Sequence, residues 1–205
     1  MAMQASKFGT FLILFFVTPI MVEMDNILEI WLINPPDYAG MLCRWMLAIL
    51  VLDKMTSGAM LAVNAHGKVA VYDPVQGLLI LLSVPLMYLF ISLKYGAHSI
   101  GYALFISMLL YCVARLVFGK YLVKLSFGLW IKQIAIPIFI ILFSNMLIGL
   151  IIVKNIEVGF LRICLNIVII SISTMIIGWF ILLNKTEKDY LINIISNKFN
   201  LIKLK

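Results

Sequence analysis

At 205 residues, with 64% hydrophobic and only 12% charged side chains and a mean hydropathy of +1.11, the chain lies far from soluble proteins, in which about 25% of residues are charged. Its net charge of +7 does not read as nucleic-acid binding, because the basic residues sit between or beyond apolar runs and form no cluster interleaved with aromatics. An integral membrane protein is what remains. Cys43, Cys112 and Cys164 are scattered singly in apolar segments, without metal-ligand spacing, and are expected to pack as small hydrophobes.

No small-residue cleavage site follows a short apolar region after MAMQASKFGT, so a removed signal peptide is not expected. The first span runs from near Phe8 to Val22 with Pro19 inside it. Glu23, Asp25 and Glu29 then interrupt the apolar run and are expected at the hydrated membrane surface. There Ile27, Leu28, Trp31 and Leu32 share one side of an interfacial helix, with Trp31 at headgroup level. Asn34-Pro35-Pro36-Asp37 ends the segment, since proline cannot donate to a helix and disfavours helix in the residue before it.

The second span, roughly Leu42 to Asn64, carries Asp53-Lys54 at its centre. A span takes about 20 apolar residues, and a charge at mid-depth costs about 2.5–3.5 kcal/mol on insertion scales, so it is a candidate functional site. At 100° per residue Asp53, Ser57 and Asn64 fall within an arc of about 40°, flanked by Thr56 and Met60. Lys54 is turned away from Asp53, so the partners of both are expected on other helices or in a water-filled cavity. Two readings stay open: a wet substrate path, or a buried interhelical ion pair that only holds the bundle together. Gly67 suits a helix C-cap, which leaves His66 in a loop, solvated or interfacial and not a metal ligand.

The third span runs from about Pro74 to Leu93, with Pro74 in its first turn and a kink at Pro85. The fourth covers roughly Ser99 to Phe118 and is followed by a basic connection, GKYLVKLSFGLWIK. The fifth, about Gln133 to Val153, contains Pro137, Ser144 and Asn145. The sixth, about Val158 to Leu183, contains Arg162, Asn166, Ser171, Ser173 and Thr174, polar groups of the kind that hydrogen-bond neighbouring helices. Residues 1–184 thus form an all-α, polytopic bundle of about six transmembrane helices. Residues 185–205 form an amphipathic C-terminal helix whose Lys198, Lys203 and Lys205 face anionic headgroups. Counting Lys and Arg in alternating connections puts eleven on the side of the N-terminus and four on the other, so both termini are expected in the cytoplasm.

FFVTPIMVEMDNILEIWLINPPDYAGMLCR followed by SGAMLAVNAHGKVAVYDPVQGLLILLSVPLMYLF resembles the C-terminal part of bacterial polysaccharide flippases. These are the O-antigen and lipopolysaccharide-biosynthesis transporters of the multidrug/oligosaccharidyl-lipid/polysaccharide exporter superfamily. The telling elements are a proline followed by E-x-D-x-I-L-x-I-W-L, a loop with P-x-Y, the A-x-x-A-x-G-K turn and a kinked third span, within a similarity from about Lys7 to Lys188. The resemblance implies an inner-membrane carrier of two helix bundles that moves an undecaprenyl-pyrophosphate-linked oligosaccharide, an O-antigen or capsule repeat unit, from cytoplasm to periplasm. It further implies that this chain is a C-terminal half, partnered by an N-terminal bundle or a second transporter half and by membrane lipids. By position Lys54 and Arg44 are the local candidates for the anionic carrier. With Asp53, Ser57 and Asn64 they make up the expected substrate path, and no catalytic, cofactor or metal residues are expected.

Two other classes compete. A membrane transferase acting on lipid-linked sugar needs clustered carboxylates for Mg²⁺ together with a nucleophile or base. Glu23, Asp25 and Glu29 have only the spacing, so no enzyme is expected. A non-transporting assembly subunit is the other alternative, with the intramembrane charges serving only as structural partners.

Overall fold

The computed structural model describes residues 2–32, 34–67, 69–184 and 187–189. Every regular element among them is helical: α1 Ala2–Val22, α2 Met24–Trp31, α3 Ala39–His66, α4 Val69–Leu81, α5 Ser83–Ser92, α6 His98–Val123, α7 Phe127–Trp130, α8 Ile136–Asn155 and α9 Phe160–Ile177. Single π-helical stretches, Ile131–Ala135 and Gly178–Leu182, lead into α8 and continue α9. Joined across their breaks, these make six helices long and apolar enough to cross a membrane: Ala2–Val22, Ala39–His66, Val69–Ser92, His98–Val123, Phe127–Asn155 and Phe160–Leu182. The expected all-α polytopic bundle is therefore the architecture. Of the expected tail helix over 185–205, only residues 187–189 are described, and they are helical.

The breaks follow from proline. Pro85 offers no N–H to the Leu81 carbonyl, and the third span breaks at Leu82, between α4 and α5. Pro137 removes the donor for Gln133, and the wide π turn over Ile131–Ala135 lies where that carbonyl is freed. Pro74 departs from expectation. It lies inside α4 rather than in a first turn, because Gly67, at φ 80, caps α3 and the chain re-enters helix at Val69. The basic connection is also shorter than expected: α6 runs on to Val123, Lys124 turns the chain at φ 56, and the Ser126 side chain caps α7 by accepting from Leu129 N–H.

Contacts fix how the spans run. Ser6 Oγ accepts from Gly58 N–H near the N-terminal end of α1, and Arg44 Nε donates to the Met21 carbonyl near its other end, so α1 and α3 are antiparallel. Trp45 lies over Gly101 and Thr56 donates to Cys112 Sγ, so α3 and α6 are parallel. Asn145 donates to Thr18, and Val22 lies over Gly149, making α1 and α8 parallel. Phe11 over Gly178 and Glu23 against Arg162 make α1 and α9 antiparallel. This is the alternation that six consecutive crossings require. A core of Leu14, Val17, Val51, Met55, Ile138 and Ile141 joins α1, α3 and α8. Lipid is as apolar as these side chains, so packing and polar contacts between helices carry the assembly.

Three cations counted as loop residues are buried instead. Lys7 pairs with Glu187, Arg115 with Asp53, and Arg162 with Glu23. Removing them from the orientation count leaves nine against three, so the contrast survives. The Lys7–Glu187 pair also brings both ends of the described chain to the same end of the bundle. Glu23 corrects a second expectation. It is fully buried, not hydrated, because it sits at the break between α1 and α2, where Arg162 and Asn26 reach it. Asp25 and Glu29 are exposed as expected.

Candidate functional site

Asp53 and Lys54 lie at the middle of α3, and the helices on either side decide what each can meet. Arg115 enters from α6. Its Nη1 donates to Asp53 Oδ1 at 2.7 Å, to Thr56 Oγ1 at 3.2 Å and to the Asp53 carbonyl at 3.3 Å. Its Nη2 donates to the Tyr111 hydroxyl at 2.9 Å and lies 3.2 Å from Met60 Sδ, while its guanidinium stacks 4.2 Å from the centre of the Tyr111 ring. Tyr111 and Arg115 are four residues apart on α6, hence on one face.

Asp53 is thus partnered by another helix, as the sequence leads one to expect. Lys54 behaves differently. Although its Cα direction is turned about 100° from that of Asp53, its long stem brings Nζ to 3.6 Å from Asp53 Oδ2. The result is a chain of Arg115, Asp53 and Lys54 with two positive charges on one negative charge. Arg115 is buried, whereas the Lys54 side chain is 37% exposed.

The remaining expected path residues divide. Ser57 closes on its own helix by donating to the Lys54 carbonyl at 2.9 Å. Asn64 is exposed, two turns beyond. Arg44 is not brought to this cluster. It sits ten residues earlier, about 15 Å along the helix, with Nη1 and Nη2 donating to the two Asp25 oxygens at 3.0 and 2.7 Å.

The surface of α3 explains why Lys54 stays open. One side packs on α1 and the next on α6, while Leu50 and Leu61, which share the Lys54 direction within about 40°, are exposed. An apolar cleft of about 570 Å³ opens between α6 and α8, floored by Ala48, Val51, Leu52 and Met55 of α3. These residues lie roughly opposite Asp53 on the helix, and neither Asp53 nor Lys54 lines the cleft, so cleft and charged cluster are separate features.

Two further polar centres bind α1 to α8 and α9. Asn145 donates to Thr174 at 2.7 Å and to Thr18 at 3.3 Å and accepts from Ser173 at 3.0 Å. Glu23 and Arg162 pair at 3.1 Å, and Arg162 also donates to the Ile156 carbonyl. These are the interhelical contacts expected of such groups. Reading the sequence missed Arg115 as a site residue because it was placed at the end of a shorter fourth span. The apolar residues Leu116, Val117 and Phe118, then Tyr121, Leu122 and Val123, were the signal that the span continues. Among the described residues no group of His, Cys, Asp and Glu could hold a metal ion. Compared with models of protein families, with curated proteins and with solved structures, the chain matches none.

Proposed function

We propose that this bundle is the C-terminal lobe of a bacterial inner-membrane carrier that flips an undecaprenyl-pyrophosphate-linked oligosaccharide from cytoplasm to periplasm, with both termini cytoplasmic. The observation that carries the reading is Lys54. Its ammonium sits at mid-span on a face of α3 that no helix among the described residues covers. A charge at that depth has to meet water or a counter-charge. A second lobe facing α3 would enclose it in a cavity, and a pyrophosphate is a ligand that the net positive Arg115–Asp53–Lys54 chain favours. Arg115 balances Asp53 and leaves Lys54 the cation available for substrate, and the proline-broken helices suit the rocking of one lobe against another.

A second reading, a non-transporting assembly subunit, is favoured by the pairing of Asp53, Glu23 and Lys7 with partners inside the bundle. In that case Lys54 meets a carboxylate of the partner protein.

The test is complementation in a bacterium whose own flippase is deleted, with the chain expressed alone and together with a candidate N-terminal lobe, and surface polysaccharide as readout. Restoration by the native chain that Lys54→Met abolishes at unchanged membrane abundance supports the carrier. Unimpaired restoration by Lys54→Met removes Lys54 from the substrate path, and no restoration with any lobe favours the subunit.

A further inference from the structure

The α4–α6 interface carries a group of buried polar atoms that no contact among the described residues accounts for. The only buried side chains of α4 are Tyr72 and Gln76, which are 2% and 5% exposed. Among the described residues neither the Tyr72 hydroxyl nor either polar atom of the Gln76 amide has a hydrogen-bond partner. On α6, Ser107 Oγ and Arg115 Nε are likewise buried and without partners among the described residues.

These orphaned groups share one seam. Tyr72 packs edge-on against Phe118, with ring centres 5.4 Å apart, which shows the face of α6 turned toward α4. Ser107, Tyr111 and Phe118 fall within about 40° of one another at 100° per residue. Gln76, four residues from Tyr72, shares the Tyr72 face of α4. Consecutive spans are antiparallel, so Gln76 lies one turn back along α6 from Phe118, at the level of Ala114 and Arg115. Along α6 the order is therefore Ser107, then Gln76 beside Arg115, then Tyr72, so the line between the two helices passes the guanidinium that also holds Asp53.

We infer that this seam is a hydration site holding a file of ordered water inside the membrane-spanning bundle. Unpartnered buried groups are rare, and a buried water typically makes about three hydrogen bonds to such groups. The set contains both donors (Arg115 Nε–H and the Gln76 amide N–H) and an acceptor (Gln76 Oε1), with two hydroxyls that can act as either. That mixture suits water and does not suit a bare cation or anion. Ser107 and Arg115 are eight residues apart, about 12 Å along α6, too far for one water to serve both. The inference holds whether or not the chain is a carrier.

Radiolytic footprinting of the native chain in membranes is the test, since ordered water generates hydroxyl radicals where it sits. Tyr72 should be oxidised despite its burial. In a Gln76→Leu/Ser107→Ala variant, which fills the seam with apolar groups, its oxidation should fall about tenfold. As a second readout, Gln76→Cys and Ser107→Cys, each in a chain with Cys43, Cys112 and Cys164 replaced by alanine, should react with a methanethiosulfonate at least about tenfold faster than Ile138→Cys in the apolar core. Thiols react only where they are hydrated. An unmodified Tyr72 in the native chain, or both seam cysteines reacting as slowly as the one at position 138, overturns the inference.

Discussion

Arg115 reaches across from α6 to place its Nη1 2.7 Å from Asp53 Oδ1, at the same level of the bundle where Lys54 lies 3.6 Å from the other carboxylate oxygen. One aspartate thus serves two cations, and its loss would leave two positive charges facing each other at mid-span. Asp53→Asn and Arg115→Gln should therefore be strongly non-additive, with a coupling energy of about 1–3 kcal/mol in a double-mutant cycle. Unfolding in detergent, followed by intrinsic fluorescence, measures it. Additive effects would mean that the pair contributes nothing specific.

The two other arginine–carboxylate pairs differ in burial, and the difference sets their worth. Glu23 is 0% and Arg162 5% exposed, so Arg162→Met leaves a buried carboxylate uncompensated and should destabilise by about 3–5 kcal/mol. Asp25 and Arg44 face solvent, and Asp25→Asn should change stability by no more than about 1 kcal/mol. The same unfolding assay compares them, and equal effects would contradict the burial.

At Gly58 the backbones of α1 and α3 come into close contact. A methyl group there would run into the Ala2 carbonyl oxygen and the Ser6 hydroxyl, and backbone cannot step aside as a side chain can. Gly58→Ala should cost about 1–3 kcal/mol. Gly9, also helical, has open space around it, and Gly9→Ala should gain up to about 1 kcal/mol from helix propensity alone. Melting temperatures moving in opposite directions are the expected result.

The run of the helices predicts that Pro36, in the α2–α3 loop, and Lys120, in the last turn of α6, face opposite sides of the membrane. Both positions are exposed. Cysteines placed there should be labelled from opposite sides by an impermeant reagent in sealed vesicles. With Lys and Arg concentrated on the Lys120 side, Lys120→Cys is predicted to be labelled from the cytoplasmic side. Labelling of both from the same side would exclude six alternating spans.

The membrane class, the six spans, the special standing of Asp53-Lys54 and the kink near Pro85 were legible in the sequence because each depends on local quantities. Run length against bilayer thickness, the cost of a charge at depth and the missing N–H of proline are all properties of neighbours in the chain. Polar pairing was not legible in this way. Arg115 read as a loop cation and Glu23 as a surface acid. Each assignment changed because a side chain's environment depends on which helix is beside it and at what rotation. Only the tertiary structure decided that α6 turns Arg115 onto Asp53, that α9 brings Arg162 to Glu23 and that Arg44 pairs with Asp25. It decided equally that Lys54 stays on the uncovered face of α3. Periodicity records the direction of a side chain about its own helix axis, whereas the partner it meets follows from close contacts between residues up to 180 positions apart.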